Sequence, residues 1–230
     1  MTATLNNTKR VVEKWVAEAV RCEQSPRRAE VRFPFARPAT ICRGGFEVQA
    51  ICRDISNHGI GWLQSDCPPK RGKHTMSIWL GNRIMHASVN VFWSRTIGDN
   101  WWACGGHLIV STLDLAKLHM GRRLGDLRNR RKHERLPFCH CFSSVFESNE
   151  SSALGSSKAS EFEDIVPSIV SLDVSTGGMR LVSDEPFGFE GNIVLLQNKS
   201  DLQAGPVRGR IVSFFEMENG YYSTGVQFLN

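Results

Sequence analysis

The stretch that decides the fold lies in the middle of the chain and reads RRKHERLP, residues 130–137. It ends a basic run, GRRLGDLRNRRKHER at 121–135, in which seven arginines and lysines accompany only two acidic residues. Near the N-terminus, residues 27–34 read RRAEVRFP, with arginines and proline in the same places. A pattern that recurs in this way indicates an internal repeat, which is worth testing before any single motif.

Two further landmarks recur in the same order. DISNHG at 54–59 returns as DVSTGG at 173–178, and WWACGGHL returns later as YYSTGVQF. The copies are 103 residues apart for the arginine motif (28 to 131) and 119 apart for the Asp motif (54 to 173). The difference is about the size of a serine-rich stretch at 148–160, whose composition is typical of a surface loop. The chain is therefore predicted to hold two copies of one domain, the second with an extra loop.

Short segments that alternate between apolar and polar residues fill both copies. Ala87, Val89 and Val91 form one such run, and the pair Gly44 and Gly45 predicts a hairpin turn before another. Several short strands at this spacing indicate a sandwich or a small barrel. In the DxSxxG landmark, Asp and Ser are residues that cap turns, and the closing Gly is expected to supply a positive φ.

Two helices are predicted outside the β-segments. Residues 9–23 carry apolar side chains at helical spacing, and this helix is expected to pack on its own domain, with a partner or dimerisation helix as the alternative. Residues between the two copies also have a helical pattern. The predicted units are an N-terminal amphipathic helix (1–24), a first β-domain (25–112), a helical linker (113–129) and a second β-domain (130–230).

Composition limits the class of protein. The net charge of +5 suits an anionic partner without requiring a polynucleotide, and no stretch approaches the roughly 20 apolar residues that span a bilayer. The N-terminus lacks the features of a secretory signal, so a cytoplasmic location is expected. Among seven cysteines there is no CxxC pair. Cys139, His140 and Cys141, with His133 upstream, are interpreted as buried thiols and neighbouring side chains rather than as a metal site.

The paired motifs suit recognition of a guanine nucleotide. Two arginines four residues apart present planar forks that bind phosphate oxygens or the O6/N7 edge of guanine. A carboxylate accepts hydrogen bonds from guanine N1–H and N2–H. Each motif alone is better explained by a solvated surface or a turn, but their repeated pairing favours a binding site.

These motifs, RxxxR and DxSxxG, resemble the two signature motifs of PilZ domains, and the resemblance covers residues 25–112 and 129–230. It implies that each domain is a six-stranded antiparallel β-barrel that binds cyclic di-GMP as a ligand, with no cofactor. The ligand-binding residues that it implies are Arg28, Arg32, Asp54, Ser56 and Gly59 in the first copy, and Arg131, Arg135, Asp173, Ser175 and Gly178 in the second. Arg27 and Arg130 rank second, as additional contacts outside the strict motif.

The resulting expectation is an all-β, non-enzymatic receptor for cyclic di-GMP that signals by reorienting its domains. Its signal would pass to an unidentified protein, with the N-terminal helix as one candidate surface. The first copy has His58 where the second has Gly177, which predicts weaker binding by the first copy if that position needs a positive φ. The alternatives are a ligand-independent scaffold that acts through protein contacts and, less favoured because acidic residues are scattered through both copies, a nucleic-acid-binding protein.

Overall fold

A computed structural model describes residues 2–23, 32–65, 67–98, 100–109, 135–146 and 168–229. The predicted linker helix, the serine-rich loop and the motif residues Arg27, Arg28, Arg130 and Arg131 lie outside the described residues. The N-terminal helix, α1 (Thr2–Glu23), is present and begins earlier than the predicted 9–23. No helix in the described part of the chain is long and apolar enough to cross a membrane.

The first barrel is closed by six antiparallel strands. They are β1 (Phe33–Arg43), β2 (Phe46–Ile55), β3 (Gly59–Gln64), β4 (Gly72–Trp79), β5 (Ile84–Gly98) and β6 (Trp101–Leu108). The strands follow the order β1-β2-β3-β6-β5-β4, and β4 pairs with β1 to close the barrel. The predicted turn between β1 and β2 is confirmed, because Gly44 and Gly45 have φ values of +61° and +85°, which only glycine adopts readily.

The second barrel repeats this strand order. Its strands are β7 (Leu136–Pro137), β8 (Cys141–Phe146), β9 (Ile169–Ser175), β10 (Gly178–Ser183), β11 (Ile193–Asn198), β12 (Val207–Glu216) and β13 (Tyr222–Phe228). The order is β8-β9-β10-β13-β12-β11, with β11 paired to β8. The short strand β7 pairs with β9 as the start of β1 pairs with β2. The predicted all-β fold of two six-stranded antiparallel barrels is thereby confirmed.

Helix α1 packs within the chain, on the second barrel rather than on the barrel that follows it in the sequence. Its buried face, which includes Trp15, joins the apolar core of the second barrel. The Trp15 ring lies 5.3 Å from that of Phe142 in an edge-on arrangement and 6.1 Å from that of Phe138. Aromatic pairs favour such offset geometries. The N-terminal helix therefore completes the barrel that is farther away in the sequence.

The two barrels share a buried apolar interface, formed by equivalent faces of the two copies. On this interface Ile51 of β2 is paired with Leu63 of β3, and Val170 of β9 is paired with Val182 of β10. Trp101 is the first residue of β6 and Tyr221 directly precedes β13, and their rings lie 5.2 Å apart. The same surface of each copy thus meets the other, as in the isologous interface of a symmetric dimer.

The cysteines in the second barrel are buried thiols, as predicted. Cys139 and Cys141 both belong to the apolar interface between the barrels. Burial raises the pKa of the Cys139 thiol, although the Arg53 guanidinium opposes this effect. Within the described ranges, no three His, Cys, Asp or Glu side chains lie close enough together to hold a metal ion.

Candidate functional site

In each barrel the described arginine of the RxxxR motif contacts the aspartate of the DxSxxG motif. The Nη1 of Arg32 donates to Oδ1 of Asp54 at 2.5 Å, and the Nη1 of Arg135 donates to Oδ1 of Asp173 at 2.5 Å. Strand pairing brings the groups together, because the proline two residues after each arginine is paired with that aspartate. The two motifs therefore meet at one place on each barrel.

The serine and glycine of DxSxxG build a tight turn at the end of a hairpin. The N–H of Ser56 donates to the carbonyl of Gly59 at 2.8 Å, and the N–H of Gly59 donates to the Ser56 hydroxyl at 3.0 Å. In the second barrel the Ser175 hydroxyl donates to the carbonyl of Gly178 at 3.0 Å. Both hydroxyls thus bind the backbone of their own turns, which holds the neighbouring aspartates in place.

The expectation that the closing glycines supply a positive φ is wrong. Neither Gly59 nor Gly178 has a positive φ, and neither does Gly177. Space explains the glycines instead: a Cβ on Gly59 would lie 3.1 Å from Nη2 of Arg32, and a Cβ on Gly178 would meet the carbonyl oxygen of Val226. Weaker binding by the first copy was predicted only if the position of His58 and Gly177 needs a positive φ. Because Gly177 has no positive φ, this reason for weaker binding does not apply.

Asp54 of the first barrel is bound by a second arginine that sequence reasoning missed. The Nε of Arg53 donates to Oδ2 of Asp54 at 2.5 Å, and the Arg53 side chain is only 8% exposed. Burial alone would raise the pKa of the Asp54 carboxyl, but the guanidinium groups of Arg53 and Arg32 outweigh it and hold that pKa below its ordinary value. Both oxygens of this carboxylate are therefore occupied by cations.

Arg53 contacts its neighbour because β2 contains a bulge. The pairing of β2 with β3 shifts between Cys52 and Asp54, so Arg53 is the extra residue. In a regular strand, adjacent side chains point to opposite faces. A bulge redirects one of them. The sequence feature that could have indicated the contact between Arg53 and Asp54 is a difference between the copies, because Leu172 occupies the position equivalent to Arg53.

Asp173 of the second barrel has a more open environment. Arg135 binds its Oδ1, whereas Oδ2 lies 4.0 Å from Nε of Arg180. Leu172, at the bulge position, is buried in the interface between the barrels and carries no charge. Oδ2 of Asp173 is therefore held less tightly than either carboxylate oxygen of Asp54.

Comparison with known proteins gives one family match. Residues 129–230 match the family model of the PilZ domain. No curated protein matches the chain in sequence. The structure of PlzA from Borreliella burgdorferi in complex with c-di-GMP is 9% identical, with a TM-score of 0.36, and the alignment covers 94% of this chain and 92% of that one.

Two further solved structures are similar at the same level. The complex of MrkH from K. pneumonia with c-di-GMP is 12% identical, with a TM-score of 0.29 and coverage of 97% of this chain and 87% of that one. YcgR from Escherichia coli in complex with c-di-GMP is 12% identical, with a TM-score of 0.28 and coverage of 85% and 76%. At these identities and TM-scores the family assignment rests on the family model. Residues 129–230 are therefore a PilZ domain.

Proposed function

We propose that the protein is a non-enzymatic receptor for cyclic di-GMP, that it binds this ligand through the RxxxR and DxSxxG motifs of both barrels, and that the first barrel is a second copy of the PilZ domain. The observation that carries the proposal is the contact between the two motifs, Arg32 with Asp54 and Arg135 with Asp173, at the same place in each barrel. The match of residues 129–230 to the PilZ domain supports it.

In the proposed binding step, the motif aspartate of each barrel exchanges its arginine partner for the guanine base of the ligand. Arg32 and Arg135 are about one-fifth exposed, so each guanidinium is accessible to a ligand. When such an arginine turns to a phosphate or to the O6/N7 edge of guanine, the aspartate becomes free to accept from guanine N1–H and N2–H. Arg28 and Arg131, four residues earlier in each motif, would supply the second fork.

Titration calorimetry of the full-length protein with cyclic di-GMP tests this proposal. Since one bidentate arginine contact is worth about 1–3 kcal/mol, Arg28→Ala and Arg131→Ala should each weaken one binding event by about 5- to 150-fold. The double variant should show both binding events weakened to this extent, with none at the original affinity. Arg10→Ala removes the same charge from the exposed side of α1 and should bind as the unaltered protein does. Unaltered binding by the double variant would contradict the proposal.

The proposed output is a change in the position of one barrel relative to the other. Arg131 and Arg135 follow directly on the segment that joins the barrels, so capture of a ligand there pulls on that connection. The motion has to separate part of the apolar interface that includes Trp101 and Tyr221. The ligand must therefore bind the separated arrangement more tightly than the packed one.

A further inference from the structure

Strand β12 of the second barrel extends beyond the strand that pairs with one of its edges. Its residues 207–210 pair with β11, and two backbone hydrogen bonds continue this pairing at Ile211. The segment that follows, 212–216, pairs with β13 alone, with a shift of register at Val212. In the described part of the chain, no strand lies along the other edge of this segment. This open edge of β12 has the length of an ordinary strand, about five residues.

Aromatic side chains lie on both sides of the open edge. The Phe214 ring is stacked on that of Tyr222 at 5.6 Å, and it lies 5.9 Å from the ring of Phe189 in the loop before β11. Phe215 lies on the opposite side of the strand, because neighbouring side chains of a strand alternate. Phe189 and Phe215 are 68% and 51% exposed. Exposed aromatic residues are enriched where proteins bind one another.

The equivalent edge of the first barrel is protected by basic and polar residues. Residues 214–216 are Phe-Phe-Glu, and the equivalent residues 94–96 of β5 are Ser-Arg-Thr, since each run pairs with the same part of the last strand. In the loop before β4, residues 70–71 are Lys-Arg, whereas residues 189–190 in the loop before β11 are Phe-Glu. Charged side chains, lysine above all, keep other chains from pairing with an exposed strand edge. The second barrel has aromatic rings in these places, and its charges have the opposite sign.

The charges around the open edge are negative. Glu190 lies in the loop before β11, Glu216 ends β12 and Glu218 lies in the turn that follows, and all three are exposed. None of the three forms an ion pair with another described residue. The arginines of β12, Arg208 and Arg210, lie in the part that pairs with β11. Opposite charges on neighbouring strands attract and like charges repel, so the open edge favours a basic strand.

We propose that the open edge of β12 is a docking site for an extended segment of a partner protein, which adds to the sheet as a strand and alternates basic with apolar side chains. Backbone hydrogen bonds supply affinity in this mode of binding, and alternate side chains supply specificity. The basic side chains lie on the side of Glu216 and the Phe214 ring, and the apolar ones contact Phe215. No described motif residue belongs to β12, so the site is distinct from the motif sites.

Fluorescence anisotropy of the full-length protein with short labelled peptides tests the site. One probe alternates lysine with valine, and a second alternates glutamate with valine. A third is the lysine probe with methyl groups on the backbone nitrogens of alternate residues. The lysine probe should bind and the glutamate probe should not. N-methylation on the face that meets β12 removes hydrogen bonds but no charge, and it should raise the Kd at least about tenfold.

Variants test whether the probe binds at the open edge. Phe215→Arg introduces the residue that the first barrel has at the equivalent position 95, and it should raise the Kd of the lysine probe at least about tenfold. Phe46→Arg is the matched control, because Phe46 is 81% exposed at the start of β2, and it should leave the Kd unchanged. Glu216→Lys combined with Glu218→Lys should reverse the preference, so that the glutamate probe binds more tightly than the lysine probe.

Four results would overturn the proposal. They are no binding of the lysine probe, equal binding of its methylated form on either face, equal binding by Phe215→Arg and Phe46→Arg, and an unchanged preference after the two glutamates are replaced. Sedimentation velocity examines another occupant, a second copy of this chain. A dimer that Phe215→Arg dissociates would assign the open edge to that copy and exclude the separate partner, whereas a monomer supports the proposal. These measurements need no cyclic di-GMP, so their outcome is independent of the receptor proposal.

Discussion

Asp54 and Asp173 occupy the same position in the two copies but differ in what surrounds them. Asp54 is 1% exposed and lies between two guanidinium groups, one of which, Arg53, is itself buried. Asp173 is bound by Arg135 and lies farther from Arg180. A buried ion pair contributes little net stability while intact, but removing one partner leaves an uncompensated charge. The same substitution should therefore have different effects in the two barrels.

Asp54→Asn should reduce the free energy of unfolding by about 3–5 kcal/mol, because Arg53 then has no anionic partner. Asp173→Asn should cost less, since Arg135 and Arg180 are more exposed and can be solvated. Urea denaturation of the full-length protein measures both. The double change Arg53→Leu with Asp54→Asn, which introduces the leucine found at position 172, should recover most of the loss. Equal losses in the two single variants would contradict this account.

The different environments also predict which barrel binds ligand more tightly. To bind Asp54, guanine must displace an arginine from each of the two carboxylate oxygens. At Asp173, Oδ2 is held less tightly, because the nearest guanidinium, that of Arg180, lies 4.0 Å away. The second barrel should therefore be the stronger site. The sequence also predicted weaker binding by the first copy, but for a different reason: a positive φ at the position of His58. The equivalent residue of the second copy, Gly177, has no positive φ, so that reason does not apply.

At the scale of elements, α1 shows what hydrophobic periodicity predicts and what it leaves open. The pattern correctly predicted a helix with an apolar face, and Val12, Trp15 and Ala19 of that face are buried. The pattern contains no information on which surface the face meets. The second barrel offers the rings of Phe138, Phe142 and Phe228 to Trp15, and this aromatic complementarity decides the docking.

Trp15→Ala should reduce the free energy of unfolding by about 3–5 kcal/mol, because it opens a cavity between α1 and the core of the second barrel. Lys14→Ala is the matched control on the same helix. Lys14 pairs with Asp201 but is 58% exposed, so its removal should cost no more than about 1 kcal/mol. Chemical denaturation compares the two. A loss for Trp15→Ala as small as that of the control would show that α1 does not contribute to the barrel.

At the scale of the whole molecule, the two barrels meet through equivalent faces, and this arrangement opposes reorientation. The interface is a single buried apolar cluster to which both barrels contribute, and Ser65 and Tyr221 also share a hydrogen bond of 2.5 Å across it. Apolar interfaces of this kind restrict relative domain motion. A ligand that reorients the barrels has to offset the loss of these contacts through its own binding energy.

Trp101→Ala should therefore make ligand-driven reorientation easier, because the contact between Trp101 and Tyr221 no longer has to be broken. Small-angle X-ray scattering over a titration with cyclic di-GMP should show a change in profile for both proteins, with the midpoint at lower ligand concentration for the variant. Identical profiles with and without saturating ligand in both proteins would exclude the reorientation.

The sequence by itself determined the duplication, the β-character of both copies and the candidate motifs. These are short-range signals: alternation within a strand, a glycine pair at a hairpin turn, and motifs of six residues or fewer repeated in order. They predict two β-domains, and the resemblance of the motifs to PilZ domains adds the six-stranded barrel and places Arg32 with Asp54 and Arg135 with Asp173 in common sites. Whether these residues bind ligand stays a prediction.

Only the tertiary structure decided how the parts meet. The bulge turns Arg53 onto Asp54, α1 crosses to the second barrel, and the two copies pack face to face. Each of these results depends on contacts between surfaces that are distant in the chain, or on an irregularity in strand pairing. Periodicity shows which side of an element is apolar, but the surface it meets is selected by shape and charge complementarity across the whole fold.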